Sequence, residues 1–435
     1  MVESSIDGYR QLRGLGMGFP TMYKIRQNIG SPEIKDVKKA VTQELKKLNL
    51  AERIKPGDQI AVTAGSRGIH RIDEILRTLI DILNLQQAKP FIVPSMGSHG
   101  NGSARGQIDV LKSLNITEET MGVPIRSSMD VVPVATSLNG YPVFVDKIAS
   151  EADGVVVVNR VKPHTGFDGP IESGLMKMMA IGLGKHKGCH HVHRQAVKYG
   201  FSKVISDIGS LILQKLPILF GLGIVENHFD STACIAACLP SQFYHTESEL
   251  LKKAKQYMAR LPFEDIDILV IDEMGKNISG TGMDTNVIGR IMRIGQEEPD
   301  RPRISRIVIL DVTPESHGNA IGIGLADITT EYAVNKLNIK AMATNAIAAM
   351  SPEKARLPMT MLTDKDAVVA AMKTIGAIAP KDVKMVHIKN TLQMETLHIS
   401  HTLKQELASR QDLELIEKIG PFSFDENGRL LPVEV

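Results

Sequence analysis

The chain has 435 residues, a formal net charge of +2, 4% aromatic residues and no tryptophan. Its length exceeds one ordinary domain, so two are expected. The near-neutral charge gives no basic field for nucleic acid or a membrane surface, and the scarcity of rings leaves little to stack on bases.

Three cysteines, Cys189, Cys234 and Cys238, are too few and too odd a number for a disulfide framework and point to a reducing cytoplasm. The opening MVESSIDGYRQLRGLGMGFP lacks the apolar run of a secretory leader. Stretches such as LPILFGLGIV fall short of the ~20 residues that cross a bilayer. No nucleic acid and no membrane are expected as partners; a homo-oligomer is left open.

In chain order, GDQIAVTAG (57–65) is an apolar, β-branched run and reads as a buried strand. IDEILRTLIDILNL (72–85) has helical spacing, with Ile72, Ile75, Leu76, Leu79 and Ile80 on one side. PFIVPSMGSHGNG (90–102) is a strand running into a glycine-rich loop, and ARGQIDVLKSL (104–114) is the next helix. DGVVVVNRVKPH (153–164) is the most hydrophobic strand, and ILFGLGIVEN (218–227) with TACIAAC (232–238) reads as a hairpin. ESELLKKAKQYMARL (247–261) is a charged amphipathic helix, and PFED after it reads as a boundary. A second unit follows, with strands at 266–275, 306–312 and 383–390. Strand, loop and helix in repetition mean parallel crossovers. The expected fold is α/β: an N-terminal domain over 1–262 with a doubly wound, mostly parallel sheet, and a second α/β domain over 263–435 across a cleft.

Open α/β sheets bind ligands beyond the carboxyl ends of their strands. Three such ends carry GSRG with Arg67, MGSHG with His99 and KPHTG with His164, so an arginine and two histidines are expected to share one crevice. The planar fork of Arg67 suits a carboxylate, although a surface arginine at a helix start is commoner. The loop of Gly97, Ser98 and His99 precedes a helix and reads either as a phosphate cradle or as a plain turn. His164 is aimed by the proline before it; a satisfied strand-end histidine is the equal alternative. Lys177 lies in the apolar SGLMKMMAIG, where an ammonium is costly to bury unless it snorkels to water, the commoner case, or is consumed chemically. CHHVH packs Cys189, His190, His191 and His193 into five residues, which suggests metal without matching a structural zinc spacing. Cys234 and Cys238 share one face of a strand, where core packing is the better reading.

Arg67, His99, His164, Lys177 and His193, in that order and spacing, resemble the nickel-pincer lactate racemase family. GLGIVEN with TACIAA is similar to that family's later hairpin, and GTGMDTNVIGR (280–290) to its second-domain loop, so the likeness covers most of the chain. It implies a nicotinate-derived mononucleotide whose sulfur-containing carboxyl groups grip nickel together with a ring carbon. Carried over, Lys177 is the covalent tether in the N-terminal domain, Gly97 and Ser98 bind the cofactor, and His193 is the protein ligand of nickel. Soft sulfur and imidazole suit that metal. The implied activity is racemisation or epimerisation of a 2-hydroxy acid by reversible hydride transfer. His99 and His164 would be the proton-transferring bases on opposite faces, and Arg67 the anchor of the substrate carboxylate. Enzymes that make the cofactor are implied as partners, and protein expressed without them is expected to lack it.

Two departures stand out against that family. GLM (174–176) replaces its usual glycine-glycine-arginine, and the second-domain loop offers Gly289, Arg290 and Arg293 where a glutamine and a lysine help hold lactate. Arg290 and Arg293 are therefore expected to bind a larger or more acidic 2-hydroxy acid. Two other classes stand beside this one. The first is a hydroxy-acid oxidoreductase or zinc enzyme on the same scaffold; the absence of GxGxxG after the first strand speaks against nicotinamide. The second is a non-catalytic cofactor-binding homologue, which leaves His99 and His164 without a task.

Overall fold

The computed structural model describes residues 18–434, so most of the stretch read for a leader lies outside the described residues. The described residues divide into two compact units, 31–258 and 18–30 together with 259–434. The first described strand, β1 (Thr21–Gln27), pairs only with strands near the C-terminus. This corrects the expected grouping of all residues before 262: local patterning names a strand but not its partners, and here they lie far along the chain.

Residues 31–258 contain α1 (Val37–Lys46), β2 (Gln59–Ala64), α2 (Ile72–Leu85), β3 (Lys89–Pro94), α3 (Ala104–Ser113), β4 (Val131–Thr136), β5 (Pro142–Asp146) and β6 (Gly154–Arg160). Next come the short helix α4 (Leu175–Lys177), a π-helical turn (Met178–Gly182), α5 (Lys185–Tyr199), α6 (Phe201–Lys215), β7 (Ile218–Glu226), β8 (Thr232–Cys238) and α7 (Phe243–Tyr257). The sheet order is β3-β2-β6-β7-β8, parallel except for the β7–β8 hairpin.

Alternation along the strands divides their side chains between two cores. Ile60 and Val62 of β2 pack with Val41 of α1 and Leu76 and Leu79 of α2. Ala61 faces the other way, into a core shared with Val155, Val157, Met176 and Phe201. Helices thus cover both sheet faces, which is the doubly wound arrangement expected. The helix expected from 247 begins four residues earlier, at Phe243, and Glu247 is buried in it.

The other unit holds an eight-stranded sheet. Its further strands are β9 (Asp265–Met274), β10 (Arg303–Val312), β11 (Ile328–Thr330), β12 (Met359–Met361), β13 (Met385–Ile388), β14 (Thr396–Ser400) and β15 (Leu413–Pro421). The order is β12-β11-β10-β9-β13-β14-β1-β15. It is parallel from β12 to β13 and antiparallel beyond. All three cysteines are free thiols, and no described helix is long and apolar enough to cross a membrane.

Candidate functional site

Because β3, β2, β6 and β7 run parallel, their carboxyl ends lie on one edge of the sheet. From that edge come Arg67, His99 and His164, so the three loops share one side of this unit. Ser66 at the end of β2 hydrogen-bonds Nδ1 of His99 after β3, tying two loops together. The side chain of Arg67 reaches solvent. Crowding around its guanidinium, and then the positive charge of Arg160, lower its basicity. A bound carboxylate would offset both. Arg160 at the end of β6 is itself paired with Glu226 at the end of β7, and Glu226 also accepts the His70 N–H at 2.6 Å.

The loop after β3 depends on glycine. Gly97 has φ of +60° and a Cβ there would press on Ile181 and Cys189 at 3.3–3.4 Å. Gly100 has φ of +65° and a Cβ would fall 2.6 Å from the backbone of Gly106 and Gln107. A Cβ would add crowding to a backbone conformation that side chains disfavour, most severely at Gly100. The Gly97 N–H bonds the Gly182 carbonyl at 3.2 Å, seating the loop on the π-helical turn.

His164 leaves β6 in a loop with no sheet ladder of its own. Its N–H donates to Glu172 Oε2 at 2.7 Å, and its Nδ1 accepts the Gly166 N–H at 3.0 Å. A neutral ring held this way carries its proton on Nε2. The ring stacks on Phe167 at 4.3 Å, Phe167 stacks on Phe201 at 5.1 Å, and Phe201 meets the edge of His193 at 5.2 Å. Four rings in a row therefore connect two of the expected functional histidines.

Lys177 sits where α4 passes into the π-helical turn, half-buried among buried Leu175, Met176, Met178 and Met179. Such turns often mark functional positions in helices. Beneath it, Glu247 of α7 accepts the Met176 N–H at 2.8 Å, while its Oε1 is buried without a hydrogen-bond partner. Burial pushes the Glu247 carboxyl up to about 8, with Lys177 pulling the other way. Cys189 lies beside Ser98, Oγ to Sγ 3.9 Å. Burial raises its thiol pKa, and Lys177 again opposes the shift. Cys189 and His193 are four residues apart on α5 and share a face. Lys177, Cys189, Ser98 and His193 thus form one neighbourhood. His190 and His191 stand apart from it: His190 is exposed, and the ring of His191 meets Phe144 at 5.2 Å.

Sequence reasoning missed the supports. Lys185, fully buried at the start of α5, pairs with the equally buried Asp146 at 3.0 Å. It also bonds the Pro94 carbonyl and Gln107 Oε1, and Gln107 Nε2 holds the carbonyls of Gly97 at 3.0 Å and His99 at 3.4 Å. This buried network fixes the His99 loop from below. Its one advance signal was a lysine immediately after a glycine in LGKHKG.

Arg290 and Arg293 belong to the other unit. Arg290 donates to the carbonyls of Leu325 at 2.9 Å and Ile304 at 3.0 Å and pairs with Asp327 at 2.9 Å, so its fork is occupied within that unit. Arg293 donates to the Ala349 carbonyl at 2.9 Å, and burial lowers its basicity.

Residues 31–258 thus carry an arginine and two loop histidines at one sheet edge, with a lysine and a histidine on the helices that follow. Residues 22–202, which include Arg67, His99, His164, Lys177 and His193, match the family model of the lactate racemase N-terminal domain. A lactate racemase apoprotein from Thermoanaerobacterium thermosaccharolyticum is similar in structure, with 12% identity, a TM-score of 0.49, and coverage of 90% of this chain and 96% of that one. No curated protein matches the chain.

Among the described residues no three His, Cys, Asp or Glu side chains are grouped to hold a metal by themselves. A single imidazole one helical turn from Cys189, on which Lys177 acts, fits a metal whose other donors arrive with a tethered organic group. The residues present fit the group.

Proposed function

We propose that this protein is an isomerase of the lactate racemase kind, a racemase or epimerase of a 2-hydroxy acid that uses a nickel-pincer nucleotide. The observation that carries the reading is the row of rings from His164, at the sheet edge that also carries Arg67 and His99, to His193, one helical turn from the Cys189 on which Lys177 acts. Lys177 would tether the nucleotide, His193 would ligate nickel, and Gly97 with Ser98 would line it. When bound, that group supplies the hydride acceptor.

The remaining chemistry belongs to the chain. Arg67 grips the substrate carboxylate bidentately, relieving its crowding by Arg160. His99, oriented by Ser66, takes the proton of the α-hydroxyl. His164, with its proton on Nε2, hydrogen-bonds the same oxygen from the other face. For the opposite enantiomer His164 becomes the base, and presenting a lone pair at Nε2 requires it to give up the Gly166 bond. Phe167 and Phe201 keep water from that face. Three free thiols suit a cytoplasmic setting.

The test is intact mass and metal content of protein co-expressed with cofactor-making enzymes, followed by assay of single enantiomers of 2-hydroxy acids. Covalent mass and nickel are expected in the wild type, no mass in Lys177→Ala, and less nickel in His193→Ala. His99→Ala and His164→Ala should each lose racemisation by ~10²–10⁴-fold. Wild-type protein that acquires no mass on Lys177 would overturn the reading and favour the zinc or oxidoreductase alternatives.

A further inference from the structure

The segment HTGFDGPIE, residues 164–172, closes on itself through one carboxylate. Glu172 is buried, with 1% of its surface exposed. Its Oε2 accepts the His164 N–H at 2.7 Å, and its Oε1 accepts the Gly169 N–H at 3.2 Å. Lys255 of α7 reaches the same Oε1 at 2.6 Å and also pairs with Asp168. The loop carries His164 at one end and its stacking partner Phe167 in the middle. A loop without strand pairing needs its N–H groups satisfied elsewhere, and here one side chain serves both ends.

We infer that Glu172 is the positioning residue of His164, holding the histidine's backbone in the ionised, Lys255-paired state and releasing it when protonated. This rests on the reading of His164 as a proton-transferring group. It adds to that reading a control exerted from α7, which presents Glu247 to the Lys177 helix and, two turns later, Lys255 to the His164 loop. The groups facing Glu172 are Asp168 and the His164 N–H from its own loop and Lys255 from α7. Burial and then the Asp168 hydrogen bond raise its pKa to about 7, against Lys255 and the His164 N–H. Sign and window follow. Above about 7 the carboxylate accepts both N–H groups and the ammonium. As pH falls through about 7, protonation removes the charge that Lys255 neutralises, and the loop is freed.

Hydrogen–deuterium exchange on the full-length protein, corrected for the intrinsic pH dependence of amide exchange, reads this without any cofactor. Protection of residues 164–172 should fall by about tenfold per pH unit below the midpoint, following the ionised fraction. Glu172→Gln should lack that step. Lys255→Met, whose site is partly open to solvent, should keep the step but move it to higher pH, because the neutralising cation is gone. In cofactor-loaded protein, Glu172→Gln should lower kcat more than it raises KM and lose the corresponding limb of the pH profile. Protection that is independent of pH and unchanged in Lys255→Met would overturn the inference. A step that behaves as described in a protein that racemises nothing would sustain the positioning role and count against the proposed function instead.

Discussion

Lys185 and Asp146 are both fully buried and lie 3.0 Å apart. Breaking such a pair by removing one partner leaves an uncompensated charge, which costs ~3–5 kcal/mol. Lys185→Met should therefore lower the denaturant midpoint strongly, and adding Asp146→Asn should recover part of the loss. No recovery in the double variant would show that the Pro94 and Gln107 contacts, not the charge pair, matter most. Glu247 gives a second prediction at this scale. Its folded pKa is raised to about 8 by burial, above its ordinary value. The folded state then binds the extra proton, so this group's contribution is present at low pH and lost as pH rises through about 8. Wild type should lose stability between pH 5 and 9 relative to Glu247→Gln, measured by urea unfolding at each pH. Neither burial was legible beforehand: the lysine was marked only by the glycine before it, and the glutamate opened a charged amphipathic helix.

At the scale of elements, the loops after β2 and β3 carry Arg67 and His99, and their shape is set by what glycine allows. Gly57 and Gly100 both have positive φ, but a Cβ at Gly57 meets nothing within 4 Å while at Gly100 it meets backbone at 2.6 Å. Gly57→Ala should cost about 1 kcal/mol for the left-handed backbone alone. Gly100→Ala should cost roughly 2–3 kcal/mol because overlap is added. Thermal unfolding compares the two, and equal losses would mean that the loop relaxes around the new methyl. The glycines themselves were legible as turn signals. That Gly97 and Gly100 are also packing positions was not, since the atoms they spare belong to α3, α5 and the π-helical turn. The same holds for β15, whose register against β1 is broken twice. Such bulges blunt a sheet edge against further pairing, and they leave Leu415, Ile416 and Ile419 exposed.

At the scale of the whole molecule, the two units depend differently on chain order. Residues 31–258 are continuous and hold both cores of their sheet. The eight-stranded sheet is completed by β1, which lies between β14 and β15. A variant beginning at Ser31 should keep the cooperative unfolding of residues 31–258, while β15 loses its partner and becomes a site of proteolysis. Unchanged resistance at Leu413–Pro421 in that variant would mean that β1 is dispensable.

What the sequence by itself determined was the local alphabet of this fold. Apolar runs ending in glycine became β2, β3 and β6, the 3.6-residue period became α2, and the loop residues at strand ends proved to share one sheet edge. Those features follow from short-range rules, because period and turn chemistry are written in consecutive residues. Only the tertiary structure decided which unit β1 joins and which acids and lysines are buried. It alone decided that Glu172, Glu247 and Lys185 stand behind His164, Lys177 and His99. Burial and ion pairing arise between segments far apart in the chain, as Lys255 with Glu172 and Lys185 with Asp146 do, so no window of the sequence contains both partners.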